Sequence, residues 1–258
     1  MTERRAHQKS SPGRPRGGAA RVSGGPVRDA VERLPPGLAA QTPAALLAAL
    51  PERLGRYVDM LCAWNDAVNL TGGRDREDVL ARLVPDSFHL AAFLRGPALA
   101  AAADAAGPDG PRVWDLGAGG GLPGIPLRMV WERGTYTLVE VRQKRALFLA
   151  NALAALRLAR TRVFRGPAEQ LFAEQREGAD VILSRAFLPW PKLLEFCRPA
   201  LRPGGVLLIF AAAPCGELPA PWRPLAQTSY AAGASRRWLW AVQAPSRAEE
   251  TCAEGSHA

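Results

Sequence analysis

Three acids and a cluster of glycines carry the chemistry that this sequence can offer. Asp115 stands two residues before Gly117, and Gly119, Gly120, Gly121 and Gly124 follow within Asp-Leu-Gly-Ala-Gly-Gly-Gly-Leu-Pro-Gly-Ile-Pro-Leu. Glycine lets the main chain turn with either hand and lets a ligand approach the backbone closely, so such a turn between a strand and a helix is a common nucleotide-binding device. Gly119 to Gly124 also fits G-x-G-x-x-G, the dinucleotide pattern, which alone is a weak signal. The register argues against a pyrophosphate, because the carboxylate of Asp115 at the strand end would repel it. An acid there favours a ligand with a cationic end, such as the amino-acid end of S-adenosylmethionine. Glu140 follows 25 residues after Asp115 and can accept both hydroxyls of a ribose, and Glu169 comes after the next strand, where an adenine edge would lie. The plainer alternative is that Asp115 and Glu140 cap helices.

Other reactive groups form no such set. The histidines are His7, His89 and His257, and no Ser/His/Asp or Cys/His spacing links them to a nucleophile. Cys62, Cys197, Cys215 and Cys252 stand far apart, without the CxxC spacing of a metal site or the paired framework of a secreted scaffold. They read as small buried hydrophobes in a reducing compartment. No metal is expected.

These groups need elements to position them. Arg112–Leu116, Tyr136–Val141, Thr161–Arg165, Ala179–Leu183 and Gly205–Phe210 read as strands. Helical stretches at Pro123–Glu132, Gln143–Leu158, Ala168–Gln175 and Lys192–Pro199 separate them. Alternation of this kind implies an α/β domain with a parallel sheet and helices on both faces. Pro224–Tyr230 and Arg237–Val242 can add a terminal hairpin. Ahead of this domain, residues 41–95 read as a helical module. Thr42-Pro43 looks like a helix start, a longer helix spans about Pro51 to Leu70, and Gly72-Gly73 breaks the chain. Asp75 caps a further helix, Pro85 interrupts it, and Asp86-Ser87 opens the last one. Residues 96–111 read as a linker, 112–244 as the main domain and 245–258 as a loose tail. Residues 1–40 read as a basic disordered tail, since residues 1–24 carry six Lys/Arg, one acid and no branched aliphatic residue before Val22.

The chain has 258 residues, 48% of them hydrophobic, and a formal charge of +9 from 33 basic and 24 acidic side chains. Such a balance suits a polyanionic partner, nucleic acid before a membrane. No apolar run reaches the roughly 18 residues that a membrane helix needs, and the basic N-terminus lacks an apolar signal core. A cytoplasmic location without membrane partners is the expectation.

Asp115-x-Gly117-x-Gly119, then Glu140 and then Glu169, resembles class I S-adenosylmethionine-dependent methyltransferases. A closer likeness follows from Trp64-Asn65-x-x-x-Asn69-Leu70-Thr71, Arg82, Asp86-Ser87, the Gly121-Leu122-Pro123-Gly124-Ile125-Pro126-Leu127 continuation, Lys144-Arg145 and Ser184-Arg185-Ala186-Phe187, all in one order. On these motifs the chain, over about residues 42–243, resembles the RsmG (GidB) family of bacterial small-subunit ribosomal RNA methyltransferases. The resemblance implies a Rossmann-like, mostly parallel seven-stranded sheet behind the helical module. It implies methyl transfer from S-adenosylmethionine to the position-7 ring nitrogen of one guanine in 16S rRNA. The partner would be 16S rRNA or an assembly intermediate of the small ribosomal subunit, met by a monomer. It also implies that Asp115, Gly117, Gly119, Leu122, Glu140, Ala168, Glu169 and Arg185 form the cofactor site. Arg185 would double as the residue that orients the base, and Asn65, Asn69, Arg82, Lys144 and Arg145 would be candidates for RNA contact. The chain departs from the family pattern at Gly72-Gly73, Leu83 and Gly120. It departs again after the fifth strand, where Ala211-Ala212-Ala213 replaces a usual Lys-Gly and so removes a cationic contact. Two alternatives remain open: methylation of another substrate, and a degenerate member that binds RNA without catalysis.

Overall fold

The computed structural model describes residues 25–232 and 235–244. Among these residues the chain folds around one seven-stranded sheet of order β3-β2-β1-β4-β5-β7-β6. The first five strands are β1 (Arg112–Leu116), β2 (Thr135–Glu140), β3 (Thr161–Arg165), β4 (Ala179–Ser184) and β5 (Leu201–Ala211). They pair in parallel, whereas β7 (Ser235–Gln243) runs antiparallel to both β5 and β6 (Arg223–Ala232). The expected terminal hairpin is therefore the far edge of the sheet. Side chains alternate across the pleat. Val113, Leu138, Leu183 and Leu208 enter a core shared with the N-terminal module, α6 (Gly124–Val130) and α7 (Gln143–Leu156). Trp114, Val139, Ile182 and Leu207 enter a second core under α8 (Ala168–Glu174) and α9 (Trp190–Cys197). This is the mostly parallel α/β sandwich that the resemblance implied.

The N-terminal part differs from its expected outline in four places. First, residues 25–40 are folded, against the expected tail over 1–40. Helix α1 spans Gly25–Glu32, and Val27 and Leu38 are buried against the next helix. Val27 and Val31, four apart, turn one face of α1 inward, and Leu34 and Leu38 follow it into the same core from the turns after the helix. Residues 1–24 and the expected tail 245–258 lie outside the described residues.

Second, the two helices expected on either side of Pro51 are one, α2 (Ala44–Val68), with the proline inside it. A proline there removes one backbone donor and costs about 3 kcal/mol. Leu50, Leu54, Tyr57, Val58 and Leu61 are fully buried on the same helix and outweigh that loss. Third, Pro85 does not break the chain. Helix α3 (Arg76–Asp78) passes through a π-helical turn at Val79–Leu83 into α4 (Val84–Leu94). The Val84 N–H reaches back five residues to the Val79 carbonyl, so the ladder slips by one just before the residue that has no N–H to give. Fourth, the expected linker 96–111 contains α5 (Pro97–Asp104), whose Leu99 and Ala103, four apart, are buried. The Asp75 cap forms as its sequence suggests, with its carboxylate accepting the Asp78 N–H at 2.8 Å.

Candidate active site

The turn after β1 is held from three sides. The Gly117 and Ala118 N–H groups both donate to the Val139 carbonyl at 3.0 Å, and the Gly119 N–H donates to Glu140 Oε2 at 3.0 Å. From the N-terminal module, the buried Tyr57 hydroxyl donates to the Gly120 carbonyl at 2.7 Å. Gly120, one of the departures from the family pattern, is where α2 comes close, since a Cβ there would lie 2.8 Å from Leu61 Cδ1. Gly117 has φ +71, and a Cβ on it would sit 2.9 Å from the Phe187 ring. At Gly120 the near atom is the movable end of a leucine, whereas the positive φ of Gly117 together with the Phe187 ring holds that position to glycine.

A cleft of about 380 Å³ opens at the carboxyl ends of β1, β2 and β3. Gly117, Glu140, Ala168 and Glu169 line it, so four residues expected in one site do converge. The Glu140 carboxylate is 4% exposed and accepts the Gly119 and Arg142 N–H groups, one on each oxygen, at 3.0 and 2.8 Å. A carboxylate has about four acceptor positions, so each oxygen keeps one for a hydroxyl of a ribose. Beside it, Val141 is 62% exposed in the cleft wall, an apolar surface suited to the flat ring of an adenine. Arg145 also lines the cleft, and its Nε is buried without a hydrogen-bond partner. A diol acceptor and an exposed apolar wall suit the ribose and the base of S-adenosylmethionine, and the Arg145 guanidinium places a positive charge beside them. Val141 and Arg145 went unseen as cleft residues in the sequence, although an apolar residue directly after a strand-end acid was a usable signal.

Four expected cofactor residues lie outside the cleft lining, among them Gly119, whose N–H is spent on Glu140. Asp115 does not face the cleft. It is 2% exposed beneath the turn and accepts the Tyr136 hydroxyl at 3.0 Å. A Cβ on Gly124 would lie 2.5 Å from its Oδ2, so Gly124 is what gives this carboxylate room. Burial pushes Asp115 up to about 7, with the Tyr136 hydrogen bond and the charge of Arg185 pulling the other way. The expected meeting of Asp115 with a ligand cation is thus corrected: strand alternation turns its side chain into the core with Val113. Leu122 is also buried in that core. Arg185 stands outside the lining of the cleft, and its Nε lies 3.2 Å from Asp86 Oδ2.

The description of a protein family, GidB, rRNA small subunit methyltransferase G, matches residues 51–215. A ribosomal RNA small subunit methyltransferase G from Nitratidesulfovibrio vulgaris is 45% identical over 193 residues, covering 74% of this chain and 84% of that protein. Its counterpart from Oleidesulfovibrio alaskensis is 40% identical over 197 residues, with 72% and 82% covered. The chain belongs to this family. A solved O-methyltransferase from Bacillus cereus, in complex with SAH, superposes with a TM-score of 0.51 at 17% identity, covering 73% of this chain and 90% of that one. That likeness supports the class I methyltransferase fold.

The positions that carry the GidB signature have visible structural duties here. Asn65 Oδ1 accepts the Leu70 and Thr71 N–H groups, both at 2.9 Å, and so ties down the loop that leaves α2. Asn69 has φ 51 and closes α2 in the left-handed region, and its carbonyl accepts Arg145 Nη2 at 2.6 Å. Arg82 pairs with Asp78 and the Gly72 carbonyl, which holds the Gly72-Gly73 turn. Lys144 is exposed in the first turn of α7, whereas Arg145 next to it turns into the cleft. Asp86 is fully buried and receives Arg185, Arg237 and, at 2.7 Å, the Tyr230 hydroxyl. That network joins α4 to the ends of β4, β6 and β7.

Proposed function

We propose that this protein transfers a methyl group from S-adenosylmethionine to the position-7 nitrogen of a guanine in 16S rRNA. We place this in the cytoplasm, with a monomer meeting 16S rRNA or an assembling small subunit. The observation that carries the reading is the cleft at the sheet's carboxyl edge, where the Gly117 turn, the Glu140 carboxylate and the start of α8 meet in a GidB-family chain. Glu140 holds the ribose hydroxyls, with the Gly119 and Arg142 N–H groups fixing its orientation. Val141 covers the adenine, and the Arg145 guanidinium supplies positive charge for the carboxylate of the amino-acid end. Bound there, the sulfonium supplies an electrophilic methyl, and the nitrogen lone pair forms the new bond as the carbon–sulfur bond breaks with its electrons going to sulfur. That nitrogen carries no proton, so the chain needs no general base. Its task is to bring acceptor and methyl to near-attack distance. Arg185, held by Asp86 one residue before the cleft-lining Ala186, orients the base or its phosphate.

Radiolabelled S-adenosylmethionine incubated with naked 16S rRNA and with small-subunit particles tests this directly. Label on one guanine, mapped by its position-7 chemistry, is the expected result. No label on either RNA sinks the proposal. Tight binding of S-adenosylhomocysteine by calorimetry in that case points to another substrate or to a non-catalytic member. Light scattering of the full chain checks the monomer.

A further inference from the structure

A second cavity of about 380 Å³ opens between the turn after β4 and the end of β5. Its walls include Leu188, Trp190, Phe210, Trp240 and the run Ala211–Ala213. Ala186 lines this cavity and the cofactor cleft alike, so the two meet at one residue. That residue has φ 58, in the left-handed region where a residue with a Cβ seldom sits. Strain of this kind persists where the surroundings demand it, and it gathers at ligand sites.

The walls have a chemistry unlike that of the cleft. Trp190 and Trp240 stand edge to face, with ring centroids 5.8 Å apart at 71°. The Trp240 indole N–H donates to the Ala213 carbonyl at 2.9 Å, which fixes that ring and the chain after β5 together. The three alanines bring no charge and little bulk. Ser184, at the end of β4, adds a hydroxyl that hydrogen-bonds to no other described residue. Uncharged aromatic walls bind the faces of nucleobases by stacking, and an enzyme that works on a base takes it out of the helix into such a pocket. Guanine presents two acceptors, its position-7 nitrogen and O6, on one edge, and a serine hydroxyl can donate to O6.

We propose that this cavity is the slot for the acceptor guanine. The ring lies against Trp190, which Trp240 backs edge to face, Ser184 reads O6, and the edge to be methylated is turned toward Ala186 and the cleft beyond it. The inference rests on the RNA-methylating reading and adds where the base sits.

The test uses the full chain and a 16S rRNA transcript made with 6-thioguanosine in place of guanosine, irradiated in the near ultraviolet. Crosslinks mapped by mass spectrometry to 184–190 or 211–213 are expected. Crosslinks confined to the N-terminal module or to α7 overturn the slot. Trp190→Ala should lower kcat/KM for rRNA by roughly 10- to 100-fold and abolish the crosslink. Calorimetric affinity for S-adenosylhomocysteine should stay within about twofold of wild type, which also shows that the variant folds. Trp190→Phe should restore most of the loss. Unchanged kcat/KM in Trp190→Ala overturns the proposal while the methyltransferase reading stands. If the wild type transfers no methyl but still crosslinks at the slot, the slot stands and the reaction is what fails.

Discussion

Asp86 and Asp115 are both carboxylates sunk into the protein, and their surroundings provide for them in opposite ways. Asp86, fully buried, is met by Arg185, Arg237 and the Tyr230 hydroxyl. Asp115, 2% exposed, is met by one hydroxyl, that of Tyr136, and is pushed up to about 7. Arg185 lies between them, paired with the first and acting on the second only through its field. A buried acid with two cations works as a clamp between segments far apart in sequence. A buried acid with one hydroxyl partner is shifted toward its protonated form and serves as a polar filler under Gly124. The clamp ties residues 86, 185 and 237 together next to the cleft-lining Ala186, and the filler shapes the turn above it.

Removing the clamp should have the largest effect. Asp86→Ala leaves two guanidinium groups without their counter-charge, a loss on the order of 3–5 kcal/mol. Urea unfolding measures it, and methyl transfer should fall too, because Arg185 loses its anchor. A cost no greater than that of Asp115→Ala would break the distinction between clamp and filler.

The filler predicts a pH dependence. Its folded value near 7 lies above the ordinary carboxylate range, so the folded state binds more protons than the unfolded one between about 4 and 7. The stability this group contributes is therefore complete below about 4 and is lost as pH rises through about 7. Asp115→Asn cannot ionise, and its oxygen still accepts from Tyr136. Relative to wild type it should gain on the order of 2–4 kcal/mol between pH 4 and pH 8. Parallel Tm curves for the two proteins across that range would show that Asp115 stays ionised.

Glu140 is a third case, a buried acid whose oxygens face the cleft. Glu140→Ala should weaken S-adenosylhomocysteine binding by roughly 1–3 kcal/mol in calorimetry and change stability less than Asp86→Ala does. Unchanged affinity would reject its ribose assignment.

The sheet was legible because its strands are short apolar runs between glycine and proline signals, and Glu140 and Gly117 were legible because strand ends fix their place. The direction of Asp115 was not read, although alternation with Trp114 and Leu116 contains it. The Asp86 clamp was out of reach, because its members lie about 100 and 150 residues away along the chain and only the folded sheet brings them together. Pro51 and Pro85 misled for one reason: each looks like a break locally, and burial of the surrounding leucines and valines overrides it.

The smallest effect tests whether the N-terminal module takes part in the site or only covers the sheet. Tyr57 on α2 reaches the Gly120 carbonyl at 2.7 Å, a neutral bond across the same seam that Asp86 crosses with charge. Tyr57→Phe keeps the ring and strands one buried carbonyl, at a cost of about 1 kcal/mol in stability. If the bond also preorganises the glycine turn, S-adenosylhomocysteine affinity should fall about two- to fivefold, although Tyr57 lines neither the cleft nor the slot. Loss of stability with unchanged affinity would make the module a cover. Loss of both would make it part of the cofactor site, with the clamp holding the module in place and the hydroxyl passing that order to the turn.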